Sequence, residues 1–179
     1  MSGQIDLFAR PTPPPSADAA ALAATPMLAV SLTQPWASLV ALGKKTIETR
    51  SWTASHRGPI AIHAAKGFPG GCQALCAEEP FRAALAGRTA KQLPRGLIVA
   101  VARLDSCWRF PEAPDPFGGR PHAEHEIDFG DYTPGRFGFV LTDIVPLPEP
   151  VPAKGALSIW RIPDDVRALI AAQIGRRAA

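Results

Sequence analysis

Cysteine is scarce in this chain, whose 179 residues include only Cys72, Cys76 and Cys107. An odd and sparse set of cysteines does not build a disulfide framework and is typical of reduced thiols, so we expect a cytoplasmic protein. Long apolar runs are missing too, because no stretch approaches the roughly 20 residues that a membrane-spanning helix needs. The first residues also lack the basic and apolar regions of a secretory signal. The composition therefore excludes a disulfide scaffold and predicts a protein without a membrane partner.

Signatures of cofactor and metal sites are weak or missing. The sequence has neither a glycine-rich phosphate loop nor a Gly-x-Ser-x-Gly elbow. His122 and His125 have acidic neighbours, but the spacing provides no convincing third zinc ligand, and a solvated acidic loop is the favoured interpretation. Cys72 and Cys76 lack zinc-site spacing as well. We therefore expect no metal and no cofactor.

Proline, by contrast, is abundant, with 20 residues. Several prolines cluster between positions 11 and 26 beside an alanine-rich run, and this stretch offers little to a hydrophobic core. We predict a disordered N-terminal tail over residues 1–26 and a folded domain over residues 27–179. The total length is enough for one domain rather than two.

Hydrophobic patterning predicts about six strands and a few helices in the folded part. Short or alternating apolar runs indicate strands, whereas apolar stripes at helical spacing indicate helices. The predicted strands cover residues 27–32, 46–52, 59–65, 96–108, 136–147 and 156–162, and the predicted helices cover 33–43, 71–87 (broken at Pro80) and 164–175. The strand that begins at Arg136 is expected to stop at the prolines from Pro146 onwards, and residues 111–135 are expected to form a loop. This pattern is typical of a small barrel-like α+β domain.

Two helices carry more detailed predictions. Thr33 has a side chain that can cap the first helix, and Gly43 readily takes the left-handed conformation that ends it. In the last helix an apolar stripe is predicted to face one side, and its members are Val166, Leu169, Ile170 and Ile174.

Charge is distributed unevenly, although the net charge is only +3. Residues 43–66 contain five cations and one acid, a local net charge of +4, whereas residues 111–132 contain one cation and six acids, a local net charge of −5. Two interpretations stay open. The surface is polarised and suits a charged partner, or the two segments neutralise each other.

The octapeptide Gly-Lys-Lys-Thr-Ile-Glu-Thr-Arg, residues 43–50, is the most informative segment. Lys45 is a mobile point charge suited to phosphate or to proton transfer. Glu48 offers an acceptor, and Arg50 offers a planar fork of donors for a phosphate or a base edge. Strand alternation places Glu48, Arg50 and Trp52 on one face. The alternative interpretation is an ion-pair cluster on a strand surface.

The same octapeptide resembles the Gly-x-Lys-x-x-Glu-x-Arg pattern of the ASCH domain family, a branch of the PUA-like fold. Four further blocks are similar to that family and occur in its order, so the resemblance extends from about Met27 to Trp160. The four blocks are residues 31–37, 57–66, 129–136 and 154–160. Five blocks in order are more specific than one short motif.

The resemblance implies a PUA-like six-stranded β pseudo-barrel with flanking helices and a cleft that binds RNA or other nucleic acid. Some small relatives remove the acetyl group from N-acetylated cytidine by means of a lysine, which corresponds to Lys45, and a threonine nucleophile, which corresponds to Glu48. Because Glu48 is a carboxylate, the covalent mechanism does not transfer. Lys45 and Glu48 as a general acid–base pair remain candidate catalytic residues. Ribonuclease activity has also been proposed within the family.

Other candidate nucleic-acid-binding residues surround this cleft. We predict that Trp52 or Tyr132 stacks on an unpaired base. Trp36 and Trp160 are assigned to structural packing, and Asp131 is a candidate ion-pair partner of Arg136. A structural role competes with ligand binding for His63. The candidates for phosphate contact are Arg57, Lys66 and Arg136.

Gln4-Ile5-Asp6-Leu7-Phe8 forms a small apolar patch before the proline-rich linker. It resembles the peptide by which bacterial DNA-processing proteins dock on the polymerase sliding clamp, where the glutamine forms hydrogen bonds and the Leu-Phe pair fills an apolar pocket. Gln4, Leu7 and Phe8 are therefore candidate docking residues, and packing of this stub on its own domain is the alternative.

Three hypotheses about function follow. The leading one is a module that binds RNA, another single-stranded nucleic acid or a modified nucleoside in a basic cleft. The second is a hydrolase acting on acylated cytidine or on RNA through Lys45 and Glu48. The third is an adaptor that docks on the sliding clamp through residues 4–8.

Overall fold

The fold is built on one curled sheet of six strands. In the computed structural model, which describes residues 27–178, the strand order is β2-β5-β4-β3-β1-β6, and only β1 and β3 pair in parallel. The strands are β1 (Leu28–Leu32), β2 (Ile47–Arg50), β3 (Gly58–Ala64), β4 (Leu97–Arg109), β5 (Phe137–Pro152) and β6 (Ile159–Arg161). The predicted six-stranded α+β pseudo-barrel is confirmed.

Four helices flank the sheet. They are α1 (Trp36–Ala41), α2 (Gly70–Leu75), α3 (Phe81–Ala84) and α4 (Asp164–Ala178), and short 3₁₀ turns lie at Ala90–Gln92 and Glu126–Phe129. The predicted helical segment 71–87 is indeed divided in two, and Pro80 lies directly before α3. No helix within residues 27–178 is long and apolar enough to cross a bilayer.

Apolar residues follow one another in the central strands because both faces of the sheet are buried and successive side chains point to opposite faces. In β3, Ile60 and Ile62 pack with Val40 of α1 on one face. Ala61 packs with Ile170 of α4 on the other face. A third cluster joins α1 to α2 and α3, and it places these helices beside the end of β1. The cleft described below lies at that position.

The first turn of α1 is capped by Gln34 rather than by Thr33. The Gln34 side chain is fully buried, accepts from the Ser38 amide at 3.1 Å and donates to the Pro94 carbonyl at 2.7 Å. The prediction for Thr33 is therefore wrong in the choice of residue. Gly43, with φ of +67°, ends the turn after α1 as expected.

Strand β5 does not stop at Pro146 but runs on to Pro152, and the prediction of a stop is wrong. Its partner β2 covers only the first four residues of β5, so one edge of β5 is open beyond them. The Ala153 amide donates to the Gly96 carbonyl at 3.1 Å, which places the nitrogen of the preceding Pro152 on the side away from β4. Pro152 therefore removes no ladder hydrogen bond. Between Val151 and Pro146 the register of β5 against β4 shifts, and residues 147–150, which include Pro148 and Pro150, have no residue of β4 opposite them.

Helix α4 departs from its predicted stripe at one position. Val166, Ile170 and Ile174 are buried, whereas Leu169 is 57% exposed. The buried polar residue Gln173 lies on the packed side instead and bonds to the backbone of Glu149 in β5. The helix therefore attaches to the open part of β5 through an amide as well as through apolar contacts.

Candidate functional site

The turn between α1 and β2 positions the first functional side chain. The amides of Lys44 and Lys45 both donate to the Leu39 carbonyl, at 2.9 and 3.2 Å, because the left-handed Gly43 reverses the chain after the helix. This reversal directs the chain into β2, which carries Glu48 and Arg50.

Lys45, Glu48 and Arg50 line one concavity of about 460 Å³, which we call the Lys45 cleft. One wall comes from the end of β1 and the half-buried indole of Trp36, and the other comes from the 3₁₀ turn and the residues that follow it. The predicted convergence of an ammonium, a carboxylate and a guanidinium is therefore present. The tryptophan that lines this concavity is Trp36, which had been assigned to packing, whereas Trp52 lies outside the lining, with its ring centroid 5.9 Å from Cζ of Arg50.

Arg50 is fixed by two polar contacts and by the Trp52 ring beneath its guanidinium. Its Nη2 donates to the Ser31 carbonyl at 2.7 Å, and its Nε lies 3.0 Å from Oε1 of Glu48. The second contact is an ion pair without a well-directed hydrogen bond, so the buried Nε–H has no hydrogen-bond partner among the described residues. The other oxygen of Glu48 likewise has no hydrogen-bond partner within residues 27–178. Glu48 thus keeps unused acceptor capacity at the cleft, whereas the unpaired Nε–H of Arg50 is buried.

Lys45 is not the mobile surface charge that was expected. Its side chain is 1% exposed and its ammonium lies 3.4 Å from Oε1 of Glu126 and 3.2 Å from the hydroxyl of Tyr132. These contacts use two of its three N–H donors. The remaining donor is the one available to a molecule in the cleft.

Glu126 is the residue that sequence reasoning missed. It was interpreted as part of a solvated loop, but it is completely buried. Its carboxylate accepts from the amide and hydroxyl of Thr46, at 2.6 and 2.8 Å, and from the amide of Ile47 at 3.2 Å. With Lys45 and Tyr132 this makes five donors around one carboxylate. Glu124, 90% exposed on its side chain, does fit the solvated description.

Tyr132 lies beneath the cleft and supports this network. Its hydroxyl donates to Oε1 of Glu126 at 2.8 Å, and its ring packs against Phe110 and Phe117. Burial and then the neighbouring Glu126 carboxylate raise the pKa of Tyr132 far above its ordinary value, so the phenol stays protonated. In this arrangement Tyr132 is a hydrogen-bond partner of Lys45 and does not present a ring face to the cleft.

The electrostatics of the cleft differ from the expected basic character. Its lining contains two cations, Lys45 and Arg50, and three carboxylates, Glu48, Asp128 and Asp131. Such a mixed lining suits a polar ligand that both donates and accepts hydrogen bonds better than it suits a bare phosphate.

The other predicted site residues lie outside the Lys45 cleft. Trp52 is half-buried, with its ring edge-to-face on Phe139 at 5.0 Å. Arg57 is exposed and donates to the carbonyls of Ala54 and His56. Arg136 pairs with Asp131, with Nε 3.1 Å from Oδ2, which confirms the predicted partner.

His63 and Lys66 line a second concavity, described below. His63 is buried, with Nδ1 3.1 Å from Oγ of Ser31 and Nε2 3.1 Å from the Ala153 carbonyl. Burial lowers the pKa of His63 below its ordinary value, although its hydrogen bond to Ala153 acts in the opposite direction. The neutral ring therefore donates from Nε2 and accepts at Nδ1.

Gln4, Leu7 and Phe8 lie outside the described residues, so the docking peptide stays a prediction. Across residues 27–178, no group of three or more His, Cys, Asp or Glu side chains is arranged to hold a metal ion.

The curled six-stranded sheet with flanking helices is the pseudo-barrel fold that the resemblance predicted. A model of the ASCH domain matches residues 30–117, just under half of the chain. Crystal structures of two mutant forms of the ASCH protein from Zymomonas mobilis share the fold, each with a TM-score of 0.50 and 17% sequence identity. The two matches cover 82% and 83% of this chain and 98% and 99% of the respective structures.

Two similar curated proteins are the activating signal cointegrator 1 proteins of mouse and human. Each is 27% identical over 136 residues, which is 74% of this chain but only 22% of the relative. The chain thus spans about a fifth of the length of these relatives.

Proposed function

We propose that this protein binds single-stranded nucleic acid or a modified nucleoside, with one unpaired base in the Lys45 cleft. The observation that carries the proposal is the meeting of Lys45, Glu48 and Arg50 in a walled concavity beside Trp36. A volume of about 460 Å³ lies within the usual range of small-molecule sites. The resemblance to the ASCH family favours RNA over DNA as the source of that base.

The chemistry of the lining matches the edge of a nucleobase. A base edge carries donors and acceptors side by side, and the adjacent Glu48 carboxylate and Arg50 guanidinium offer the complementary set. Trp36 is anchored edge-to-face on Phe81, with ring centroids 6.3 Å apart. Its half-exposed ring supplies an apolar surface, and stacking on such a ring contributes about 1–3 kcal/mol per base.

Calorimetric titration with free nucleosides, acylated cytidine and short RNA and DNA single strands tests the proposal. Arg50→Ala removes a charged donor from the cleft, and we expect the affinity to fall about tenfold to a hundredfold. Arg50→Lys keeps the charge but loses the planar fork, so it should restore little of the loss.

The matched control is Arg103→Ala, because Arg103 is an exposed arginine that lines neither concavity. Equal affinity of the Arg50→Ala and Arg103→Ala variants for every nucleoside and strand would contradict the proposal.

A hydrolase is the second candidate, and one observation favours it. Glu48 keeps a carboxylate oxygen free of partners within the described residues, in the same cleft as the Lys45 ammonium. A carboxylate that activates water and an ammonium that stabilises developing negative charge are what hydrolysis of acylated cytidine or of an RNA phosphodiester requires. Incubation with acylated cytidine and with labelled RNA should then give product that Glu48→Gln abolishes while binding persists. If the wild-type protein releases no product from either substrate, binding alone is its role in these assays.

A further inference from the structure

A second concavity of about 940 Å³ lies on the other side of the end of β1. Three exposed cations line it: Lys66, Arg95 and Lys154. We call it the basic groove. No Asp or Glu of the described chain lines it, and none of these three cations has an ion-pair partner within residues 27–178. The groove therefore carries the positive charge that the Lys45 cleft lacks.

The backbone of Gly96 explains why three distant segments meet here. Its amide donates to the Ala64 carbonyl at 2.7 Å, and its carbonyl accepts from the Ala153 amide at 3.1 Å. Arg95 directly precedes Gly96, Lys66 follows Ala64 by two residues, and Lys154 directly follows Ala153. The φ of +68° at Gly96 is the left-handed conformation in which glycine is favoured. The sheet thus holds the three cations together.

The wall of the groove after β5 is fixed by buried polar contacts. Ser31 Oγ lies 3.2 Å from the Ala156 carbonyl and accepts from Nε1 of Trp160 at 3.1 Å, and His63 donates to the Ala153 carbonyl. Gly155 lies so close that an added Cβ would collide with the His63 ring and approach Ser31 Oγ to 2.9 Å. A wall held in this way spends little conformational entropy when a ligand binds.

Ser31 also connects the groove to the Lys45 cleft. Its side chain faces the groove wall, while its carbonyl accepts from Arg50, and the residue lines both concavities. A strand with one base in the cleft therefore has its neighbouring phosphates within reach of the groove. Leu157, 93% exposed, lies among the lining residues and offers apolar surface to a flanking base.

We infer that the basic groove binds the phosphodiester backbone of a single-stranded nucleic acid whose base occupies the Lys45 cleft. Unpaired cations converging in a concavity concentrate positive potential, and phosphate contacts of this kind orient a strand without reading its sequence. The inference rests on the proposed function, since the cleft defines which strand segment lies in the groove. Its test, however, separates the two sites.

The test compares two triple variants by fluorescence anisotropy with a labelled ten-nucleotide RNA over a range of salt. One variant, Lys66→Ala/Arg95→Ala/Lys154→Ala, removes the groove cations. The other, Lys44→Ala/Lys91→Ala/Arg103→Ala, removes the same charges from exposed positions that line neither concavity. Because each phosphate contact to a single strand contributes about −0.7 to the slope of log K against log salt, the groove variant should lower the magnitude of that slope by about 2. The control should bind almost as the wild-type protein does.

Free nucleoside distinguishes failure of the groove from failure of the cleft. If both variants bind RNA equally while nucleoside binding persists and depends on Arg50, the inference about the groove is overturned and the proposed function stands. If the wild-type protein does not bind free nucleoside, both the proposed function and the inference about the groove fail. The third ligand tested is tripolyphosphate. If it binds as tightly as the RNA does, the groove is a site for free polyphosphate and the inference is overturned.

Discussion

One carboxylate, that of Glu126, organises the floor of the Lys45 cleft. It joins the turn before β2, the Lys45 ammonium and the Tyr132 hydroxyl. A buried charge is tolerated only when it is paired and hydrogen-bonded, and here each partner compensates the other. The position of Lys45 therefore depends on a residue 81 positions later in the chain.

Replacing Glu126 with Gln should lower the free energy of unfolding by about 3–5 kcal/mol, because Lys45 is left as an uncompensated buried charge. Urea unfolding monitored by tryptophan fluorescence measures this loss. The control is Glu124→Gln, at an exposed position in the same loop, which should change stability by less than about 0.5 kcal/mol. Similar stability of the two variants would mean that the buried pair does not hold the turn.

His63 should make the protein less stable in mild acid. Since burial lowers its pKa, the unfolded chain takes up a proton at a higher pH than the folded protein does. Its contribution to stability is present above the ordinary histidine pKa of about 6.5 and is lost as the pH falls through the lowered folded value. His63 shares the lining of the basic groove with Lys66, Arg95 and Lys154, and its ring contacts Ser31 and Trp160.

Unfolding in urea at pH 8, 6 and 5 measures that loss, and an NMR titration of the His63 ring gives the folded pKa directly. The His63→Gln variant keeps a polar side chain but cannot titrate, so its stability should fall less between pH 8 and pH 5. A parallel decline in the two proteins would show that other groups cause the acid sensitivity.

Among the elements, β5 shows how a helix side chain substitutes for a missing strand. Beyond β2, the Glu149 amide donates to Oε1 of Gln173 at 3.1 Å, and the Glu149 carbonyl accepts from Nε2 at 2.8 Å. The side-chain amide thus makes both bonds that a neighbouring strand would make. It also shields part of an edge that would otherwise be free to pair with another chain.

Gln173→Leu should lower the free energy of unfolding by about 1–2 kcal/mol, because both backbone groups of Glu149 lose their partner in a partly buried setting. Thermal or urea unfolding measures this change, and Leu169→Ala on the exposed part of the same helix should change little. If the Gln173→Leu variant is as stable as the wild-type protein, solvent satisfies Glu149 adequately.

The elements were largely predictable because their signals are local. Alternation located β2, a short apolar run located β3, and the break at Pro80 separated α2 from α3. The failure at Pro146 has a tertiary cause, since pairing with β4, which places Pro146 opposite Ala100, carries the strand past this proline. Glu126 was missed for a similar reason, because nothing in its neighbours distinguishes it from the exposed acids around it. Arg95 and Lys154 gave no signal until the sheet brought them beside Lys66.

At the scale of the whole molecule, the basic segment 43–66 and the acidic segment 111–132 form ion pairs at some residues and not at others. Lys45 and Glu126 neutralise each other across the two segments, whereas Lys66 remains unpaired among the described residues. The two open interpretations of the charge pattern therefore apply to different residues. As a result, the Lys45 cleft has a lining of both charges and the neighbouring basic groove has a positively charged lining.

The N-terminal peptide remains a separate prediction about the whole chain. A synthetic peptide of residues 1–9 should bind a bacterial sliding clamp in calorimetry, and replacing Leu7 and Phe8 with Ala should abolish the heat of binding because the apolar contact is lost. Deleting residues 1–10 should leave binding to RNA unchanged. The docking hypothesis fails if the intact peptide gives no heat with the clamp.

The arrangement around Gly96 also determines when the basic groove forms during synthesis of the chain. Residues 64, 96 and 153 must all be in place before the three cations meet. A growing chain still attached to the ribosome, and surrounded by ribosomal RNA, therefore presents no assembled groove until Lys154 has left the exit tunnel and the sheet has closed.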